Sequence, residues 1–567
     1  MASSPRLPIA LLVDRLDDEY QIAVVRGALS AARDIGVSIL CVAGGRVRDA
    51  TPERAARNVA FDLVNAETVS GVIAVTSVIG TAVGPAELGK WLERFAGLPL
   101  CCVGVDVAGK VVLEVDNAGG IRELVLHLAQ KHERRRIAFI RGPVASAEAN
   151  TRFEAYKSAL GEAGLDFDPK LVAQGDFLKT SGVSAVSTLL DERRLAHGQL
   201  DAIVAANDYM AIGALRELAR RQIEVPDEIA VVGFDDVESA RFVRPALTTT
   251  SQPTELLGRR AVEGISALGA GRPFGSSFLP TKLALRTSCG CPNAGLGLAA
   301  SVALTHEGGV ESSFMQRRQT ILAEMARAAA GRLGAAGSSW ETRLLDALLV
   351  ELRSTRTSAF YRALEQLLQK LERAPVDGVV VQEVLSALRR QSLPCVAGTA
   401  GAREKLEDAL HEARILTSVW SEEASTRRAR TARELERTFQ SALRPVLFSG
   451  PAELSRVVAE RLPDFGIEAC VVAGLDEPGN AGGGAQFLFG FGAGARILAS
   501  EPTPLASVPQ HPLLANGGRV VVALPLEARA RAVGVAMLCL AKGPEHELEW
   551  LREYLGAALD VLRRAGD

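Results

Sequence analysis

The sequence predicts an α/β fold in two similar lobes over residues 1–291, then a helical connector at 313–445, then a small α+β domain at 446–567. Three observations carry this. Between residues 7 and 290 continuous apolar runs alternate with amphipathic stretches, the pattern of parallel sheets covered on both faces by helices. From 313 to 445 strand signals are missing. From 446 onward strand-like runs are bracketed by helical segments, which suggests an antiparallel sheet with helices on one face.

Taken in order, "LPIALLVD" (7–14) reads as a strand, and "YQIAVVRGALSAARDIG" (20–36) as a helix. Its Val24, Ala28, Ala31 and Ala32 face inward and Gly36 stops it. The apolar runs "VSILCVAG" (37–44), "SGVIAVTS" (70–77), "LPLCCVGV" (98–105), "RIAFIRGP" (136–143), "DAIVAAND" (201–208) and "IAVVGFDD" (229–236) repeat the strand pattern. They are too many for one short sheet, so they divide into lobes at about 7–107 and 115–245. "LTTTSQP" (247–253) reads as a hinge strand crossing between the lobes. Residues 292–312 begin with the small, Gly-rich "PNAGLGLAAS" and form a linker. In the helical block, Leu406, Leu410, Ala413, Thr417, Trp420 and Ala424 approach a heptad spacing until Arg427 and Thr431 interrupt it. This predicts a long helix ending near Pro445, with a seam over Arg403–Leu443 for a second copy of the chain. In the last domain a helix at 451–466 precedes the strands "EACVVAGL", "AQFLFGF", "RVVVALPL" and "AVGVAMLCLA", and a helix at about 544–564 closes the chain.

The totals narrow the function. A chain of 567 residues exceeds what one core organises. Its 48% hydrophobic and 23% charged residues are ordinary for a globular protein, and a net charge of −3 gives no footprint for nucleic acid. No apolar run approaches the roughly 20 residues of a membrane span. The N-terminus lacks the basic and apolar regions of a signal peptide, so a cytoplasmic protein is expected. Eight cysteines in such a chain are not a disulfide scaffold. Cys41, Cys101 and Cys102 lie in strand-like runs as small core residues.

Ligands of open α/β sheets bind outside the carboxyl ends of the strands, and polar residues gather there. Asp14 follows "IALLV", Thr76 and Ser77 follow "VIAV", Asn207 and Asp208 follow "AIVAA", and Asp235 and Asp236 follow "VVGF". Asp208 also stands where it would cap the helix "YMAIGALREL". Neighbouring strand residues face opposite sides, which assigns Asp235 to a ligand and Asp236 to the turn that follows.

The segments "EVDNAGGIRELVLHLAQKHERRRIAFIRGP" (114–143), "TRFEAYKSALGEAGL" (151–165), "DAIVAANDYMAIGALRELARRQIEVPDEIAVVGFDD" (201–236), "PALTTTSQPTELLGRRAVE" (245–263) and "LALRTSCGC" (283–291) occur in the order of one family. By them residues 7–291 resemble the ligand-sensing domain of LacI/GalR-family regulators, with a periplasmic-binding-protein-like fold. The resemblance implies an effector cleft contacted by Arg152, Asn207 and Asp235, with Asp14 and Tyr20 from the first lobe; Thr76 joins them by its place at a strand end. It implies a sugar or polyol effector and a homodimer. A carboxylate accepts from hydroxyls, an amide donates and accepts, a guanidinium donates in a fork, and Tyr20 offers a ring face. The family's N-terminal helix-turn-helix is expected to be missing, because six residues precede Leu7. The helical block resembles the connectors of bacterial multidomain sensors, and 446–567 resembles a diverged GAF-type domain.

Other motifs reduce to structure. "GFGAGAR" (490–496) lacks the Lys-Ser/Thr of a phosphate loop and reads as a hairpin turn. "CGC" (289–291) has the wrong spacing for a zinc knuckle and no second pair of ligands. "KHERRRIAF" (131–139) reads as a solvated helix end, and His411 as a helix-surface residue. No nucleophile–base or metal constellation stands out, so neither enzyme activity, nor a cofactor, nor a metal is expected. The expectation is a small-molecule sensor that signals by cleft closure, through the connector, to a protein partner. The rival is a transcriptional regulator with an unrecognised DNA reader in 300–445.

Overall fold

The computed structural model describes residues 7–195, 198–292, 309–353, 358–372, 376, 378–397, 399–446, 451–475, 484–492, 495–497, 502–514, 520–540 and 548–566. They form two units, Met1–Cys291 with Arg437–Asp567, and Pro292–Glu436.

In the first lobe, strands β1 (Ile9–Val13), β2 (Ile39–Ala43), β3 (Gly71–Ala74), β4 (Leu100–Val103) and β5 (Val111–Val115) are parallel, in the order β5-β4-β3-β1-β2. In the second lobe, β6 (Ile137–Arg141), β7 (Val172–Gln174), β8 (Ala202–Ala205), β9 (Ala230–Asp235) and β10 (Thr248–Ser251) follow the order β10-β9-β8-β6-β7. Strand β11 (Ser277–Leu279) returns to β5, and β12 (Lys282–Ala284) pairs with β10. The chain therefore crosses between the lobes three times, after β5, after β10 and between β11 and β12.

The expected hinge strand is corrected by this topology. Strand β10 lies inside the second sheet, between β9 and β12, and the crossing is made by the residues that follow it. Thr248, Thr249 and Thr250 are buried, which suits β-branched side chains once their hydroxyls are satisfied. They donate to Arg286 O, the Asp208 carboxylate and Gly120 O.

The helix Glu19–Ile35 starts where the Asp18 carboxylate accepts from Gln21 N–H, and it stops at Gly36 in the left-handed region. It packs against the helix Thr254–Gly269 at backbone distance. A Cβ at Gly27 would lie 1.9 Å from Glu255 O, and one at Gly258 1.9 Å from Val24 O. Only glycine fits at these two positions.

Past residue 446, β13 (Ile467–Leu475), β14 (Gly484–Gly492), β15 (Ala495–Ile497), β16 (Pro502–Pro504), β17 (Val520–Ala528) and β18 (Arg531–Leu540) form an antiparallel array. The helices Pro451–Arg461 and Leu548–Gly566 join the core on one face of it. The array is not separate from the sensor, as its sequence suggests. Strand β17 pairs in parallel with β2, Val520 opposite Ile39 and Ala523 opposite Val42. The two pieces thus form one 12-stranded sheet, with cores on both faces that mix residues of each. At the seam Arg57 Nε donates to the Glu527 carboxylate at 2.7 Å, and Arg552 also pairs with Glu527.

The second unit contains the helices Val310–Ala329, Trp340–Arg353, Ala359–Leu371 and Gly378–Ser392, and most of the long helix Ala400–Val446. The heptad-like seam has a different partner from the one expected. Leu406, Leu410, Ala413, Trp420 and Ala424 are buried with Leu344, Phe360 and Leu385 of the same chain, and Thr417 is fully buried. From Leu406 to Ala424 the seam is covered within the unit, and most of the side chains that would continue it to Leu443 lie outside the described residues. Among the described residues no helix is long and apolar enough to cross a membrane.

Candidate functional site

A cleft opens between the two lobes. The first lobe lines it with Asp14, Arg15, Asp18, Tyr20, Gln21, Arg46, Ser77, Val78 and Thr81, and the second with Glu148, Arg152, Phe177, Leu178, Asn207, Tyr209 and Asp235. Gln252, at the crossing after β10, completes it. Five of the six expected residues, Asp14, Tyr20, Arg152, Asn207 and Asp235, meet here.

Thr76 does not, and that expectation is corrected. Its hydroxyl donates to the carbonyls of Val103 and Val105 and accepts from Val105 N–H. It fastens β3 to the end of β4, and its neighbour Ser77 faces the cleft, within 3.2 Å of the Tyr20 hydroxyl.

On the first-lobe side, β1 ends at Asp14, whose carboxylate accepts from Arg46 Nε at 3.2 Å. The turn is held from within, because the Gln21 side-chain oxygen accepts from Asp14 N–H and Arg15 N–H. Asp18 caps the next helix, and burial pushes its carboxyl above the usual range. Tyr20 is shifted upward, first by burial and then by the charge of Glu148, so its hydroxyl stays protonated.

On the other side Arg152 is the fixed centre. It is 3% exposed, its guanidinium lies 3.9 Å from the centre of the Phe234 ring, Nε donates to Asn117, and one Nη donates to Ala206 O. That Nη also stands 3.7 Å from Asp235. Asp235 accepts from the Gln252 amide at 2.6 Å. Burial holds its carboxyl well above the usual range, the Arg152 charge opposing the shift and Asp208 adding to it. The Gln252 side-chain oxygen is buried and has no hydrogen-bond partner.

The two acids beside Asn207 and Asp235 take structural duties. Asn207, not Asp208, caps the helix Asp208–Arg220, accepting from Met210 N–H while its amide donates to Phe177 O. Asp208 is fully buried, accepts from the Thr249 hydroxyl and Val237 N–H, and is pushed up to about 7, chiefly by burial. Asp236 pairs with Arg286 and, at 3.6 Å, with Arg241.

The opposite charges of the cleft are thus paired with one another, and what it presents to a ligand is a set of hydrogen-bonding groups with aromatic faces. Arg46, Glu148 and Gln252 were not singled out from the sequence. Arg46 lies just beyond the end of β2, so the strand-end rule reaches it. Glu148 stands one helical turn before Arg152 and is 4.0 Å from it. Gln252 ends the polar run after Leu247, and only the topology turns it into the cleft.

Residues 125–289 match the family model of a periplasmic binding protein-like domain. The chain is similar to the HTH-type transcriptional regulator CelR of Thermobifida fusca, 37% identical over 193 residues, which are 34% of this chain and 53% of that protein. It is similar to the HTH-type transcriptional repressor CytR of Escherichia coli (strain K12), 26% identical over 257 residues, 45% of this chain and 70% of that one. A solved transcriptional regulator CelR–cellobiose complex is 29% identical with a TM-score of 0.43, covering 50% of this chain and 86% of its own. The chain spans about half the length of the curated CelR relative.

Proposed function

We propose that this chain, whose periplasmic-binding-protein-like domain is of the kind found in LacI/GalR-family regulators, is a regulatory sensor of a neutral, polyhydroxylated small molecule. The observation that carries the reading is the unsatisfied Gln252 oxygen beside the Arg152–Asp235 pair. A buried amide oxygen without a donor costs about 1–3 kcal/mol, and a ligand hydroxyl bridging Gln252 and Asp235 removes that cost. Because Asp14 pairs with Arg46, Asp18 with Arg15 and Glu148 with Arg152, while burial favours the protonated form of Asp235, the charges of the cleft balance and a ligand without net charge fits best. Tyr20, Phe177 and Tyr209 supply apolar faces for a sugar ring.

Signalling follows from closure of the lobes. Glu19 of the first lobe accepts from Ser239 N–H at 2.8 Å and donates its own N–H to the Tyr209 hydroxyl at 3.0 Å. These bonds exist only while the lobes are together, and a ligand held by both sides favours that state by its differential affinity. The cleft loop also touches the end of the chain, since Leu16 N–H donates to Glu549 at 3.4 Å. The first lobe and residues 451–566 then move as one body against the second lobe, and the helical unit passes the change to a protein partner.

The test is a thermal-shift screen of the full chain against neutral mono- and disaccharides, polyols and nucleosides. A ligand at a hundredfold excess over its Kd stabilises by about 2.7 kcal/mol, so at least one of these classes should raise the Tm. A panel in which only charged metabolites raise it contradicts the reading.

A further inference from the structure

We propose that the second lobe carries a structural zinc site made by His127, His132, Cys289 and Cys291. Their ligating atoms all lie within 4.8 Å of one another. The expectation that "CGC" lacks a second pair of ligands is overturned by the fold, which brings two histidines to it from about 160 residues earlier in the chain.

The distances are those of a coordination shell. Nε2 of His127 and Nε2 of His132 are 3.1 Å apart, and Sγ of Cys291 lies 3.5 Å and 3.4 Å from them. Zinc bonds of about 2.3 Å to sulfur and about 2.05 Å to nitrogen, at tetrahedral angles, put N···N at about 3.3 Å and S···N at about 3.6 Å. The three atoms therefore form one face of such a tetrahedron, and Cys289, whose Sγ lies within 4.8 Å of them, would draw in as the fourth ligand when the ion binds. Hydrogen bonds alone explain this triangle poorly, because a ring nitrogen carries either a proton or a lone pair, so one N–H and one S–H supply at most two protons for the three contacts.

Both halves of the site are shaped by unusual backbone. His127 opens a π turn, His127–Lys131, that ends the helix Asn117–Leu126. In an α-helix of 3.6 residues per turn, residues five apart lie about 140° apart. The wider π turn swings His132 back over His127, and the ring centres are 4.8 Å apart. On the other side Gly290 has φ 106°, and a Cβ there would stand 3.1 Å from His132 Nδ1. The glycine lets the chain turn sharply after the short helix Thr287–Cys289, between the two cysteines. Ser288 anchors that turn by donating to Val231 O. The Thr248 hydroxyl lies 3.1 Å from Cys289 Sγ, and turned toward the sulfur it would give the kind of outer contact that steadies a thiolate ligand.

Four protein ligands leave no open position, so the site is structural and not catalytic. Binding releases the thiol protons from both cysteines and leaves each imidazole neutral, donating through Nε2. The ion would clamp residue 291, where the sensor stretch ends, to the carboxyl end of the helix that begins at Asn117.

The full chain, purified without a metal-affinity tag, is assayed by elemental mass spectrometry after dialysis against metal-free buffer. One zinc per chain is expected, with a lower Tm after chelation and recovery on adding Zn²⁺. Cobalt substitution should give thiolate charge-transfer bands and intense tetrahedral ligand-field bands. His132→Ala and Cys291→Ser, both at partly exposed positions, should each lose the stoichiometric zinc and the cobalt spectrum while keeping the far-ultraviolet circular dichroism of the parent. Three results overturn the proposal: apo protein that takes up no Zn²⁺, zinc retained at one per chain in both variants, or a chain found metal-free with Cys289 and Cys291 joined as a disulfide.

Discussion

The backbone at Asp235 and Asp236 has φ of 126° and 59°, so β9 ends in a left-handed kink that sends its two carboxylates to different partners. Asp235 meets Arg152 and Gln252 at the cleft, and Asp236 meets Arg286 and Arg241 beneath it. Alternation along a strand gives the right division of labour, but the observed cause is this kink. Removing one member of a nearly buried ion pair leaves the other uncompensated. Asp236→Ala should therefore lower the unfolding free energy by about 3 kcal/mol, measured by urea denaturation. Asp208 gives a pH signature. Burial raises its carboxyl from 3.8 to about 7, so the native state holds this proton over a wider range than the unfolded chain. The stability it contributes is full below about pH 4 and is lost as pH rises through about 7. An amide keeps both hydrogen bonds if its oxygen faces Val237 and its NH₂ faces Thr249. Asp208→Asn should then gain stability relative to the parent between about pH 4 and 7, seen as a growing difference in Tm. A constant difference across that range would place the titration elsewhere.

At the scale of elements, the strands of the two lobes were legible because each buried parallel strand is a continuous apolar run. Strands β5, β7, β11 and β12 were not: "VAQ", "SFL" and "KLA" are three-residue strands at sheet edges, and "VVLEV", inside the sheet, is interrupted by a glutamate. The heptad-like seam was legible as a buried stripe, but periodicity does not say what covers it. In the fold its cover is the helical unit itself. Leu410→Ala should destabilise that unit by about 2–5 kcal/mol through a core cavity and leave the oligomeric state unchanged. Calorimetric melting with light scattering separates the two effects, and a change of mass at constant Tm would restore the seam to a second copy.

For the whole molecule, the parallel pairing of β17 with β2 is the feature that no local pattern announces. Either strand reads as an ordinary buried strand, and its partner lies some 480 residues away in the chain. The consequence is measurable. Residues 1–292 alone would expose the β2 edge and the apolar side chains that Val522, Leu524 and Leu538 cover. That fragment should aggregate or melt well below the full chain, and equal solubility and Tm would show that the shared sheet contributes little. The cleft was legible because strand ends converge there, as Asp14, Asn207 and Asp235 attest, whereas Arg152, inside the helix Ala147–Glu162, was reached only through the resemblance. Gln252 escaped notice because its role arises from three crossings between lobes. The most direct test of ligand capture between those lobes is titration calorimetry with whichever neutral carbohydrate gives the largest thermal shift, on the parent chain and on Asp235→Ala. The expected result is binding to the parent at one site per chain, weakened in the variant by about 1–3 kcal/mol, the cost of leaving a buried polar group of the complex without its partner. Unchanged affinity in Asp235→Ala would contradict it.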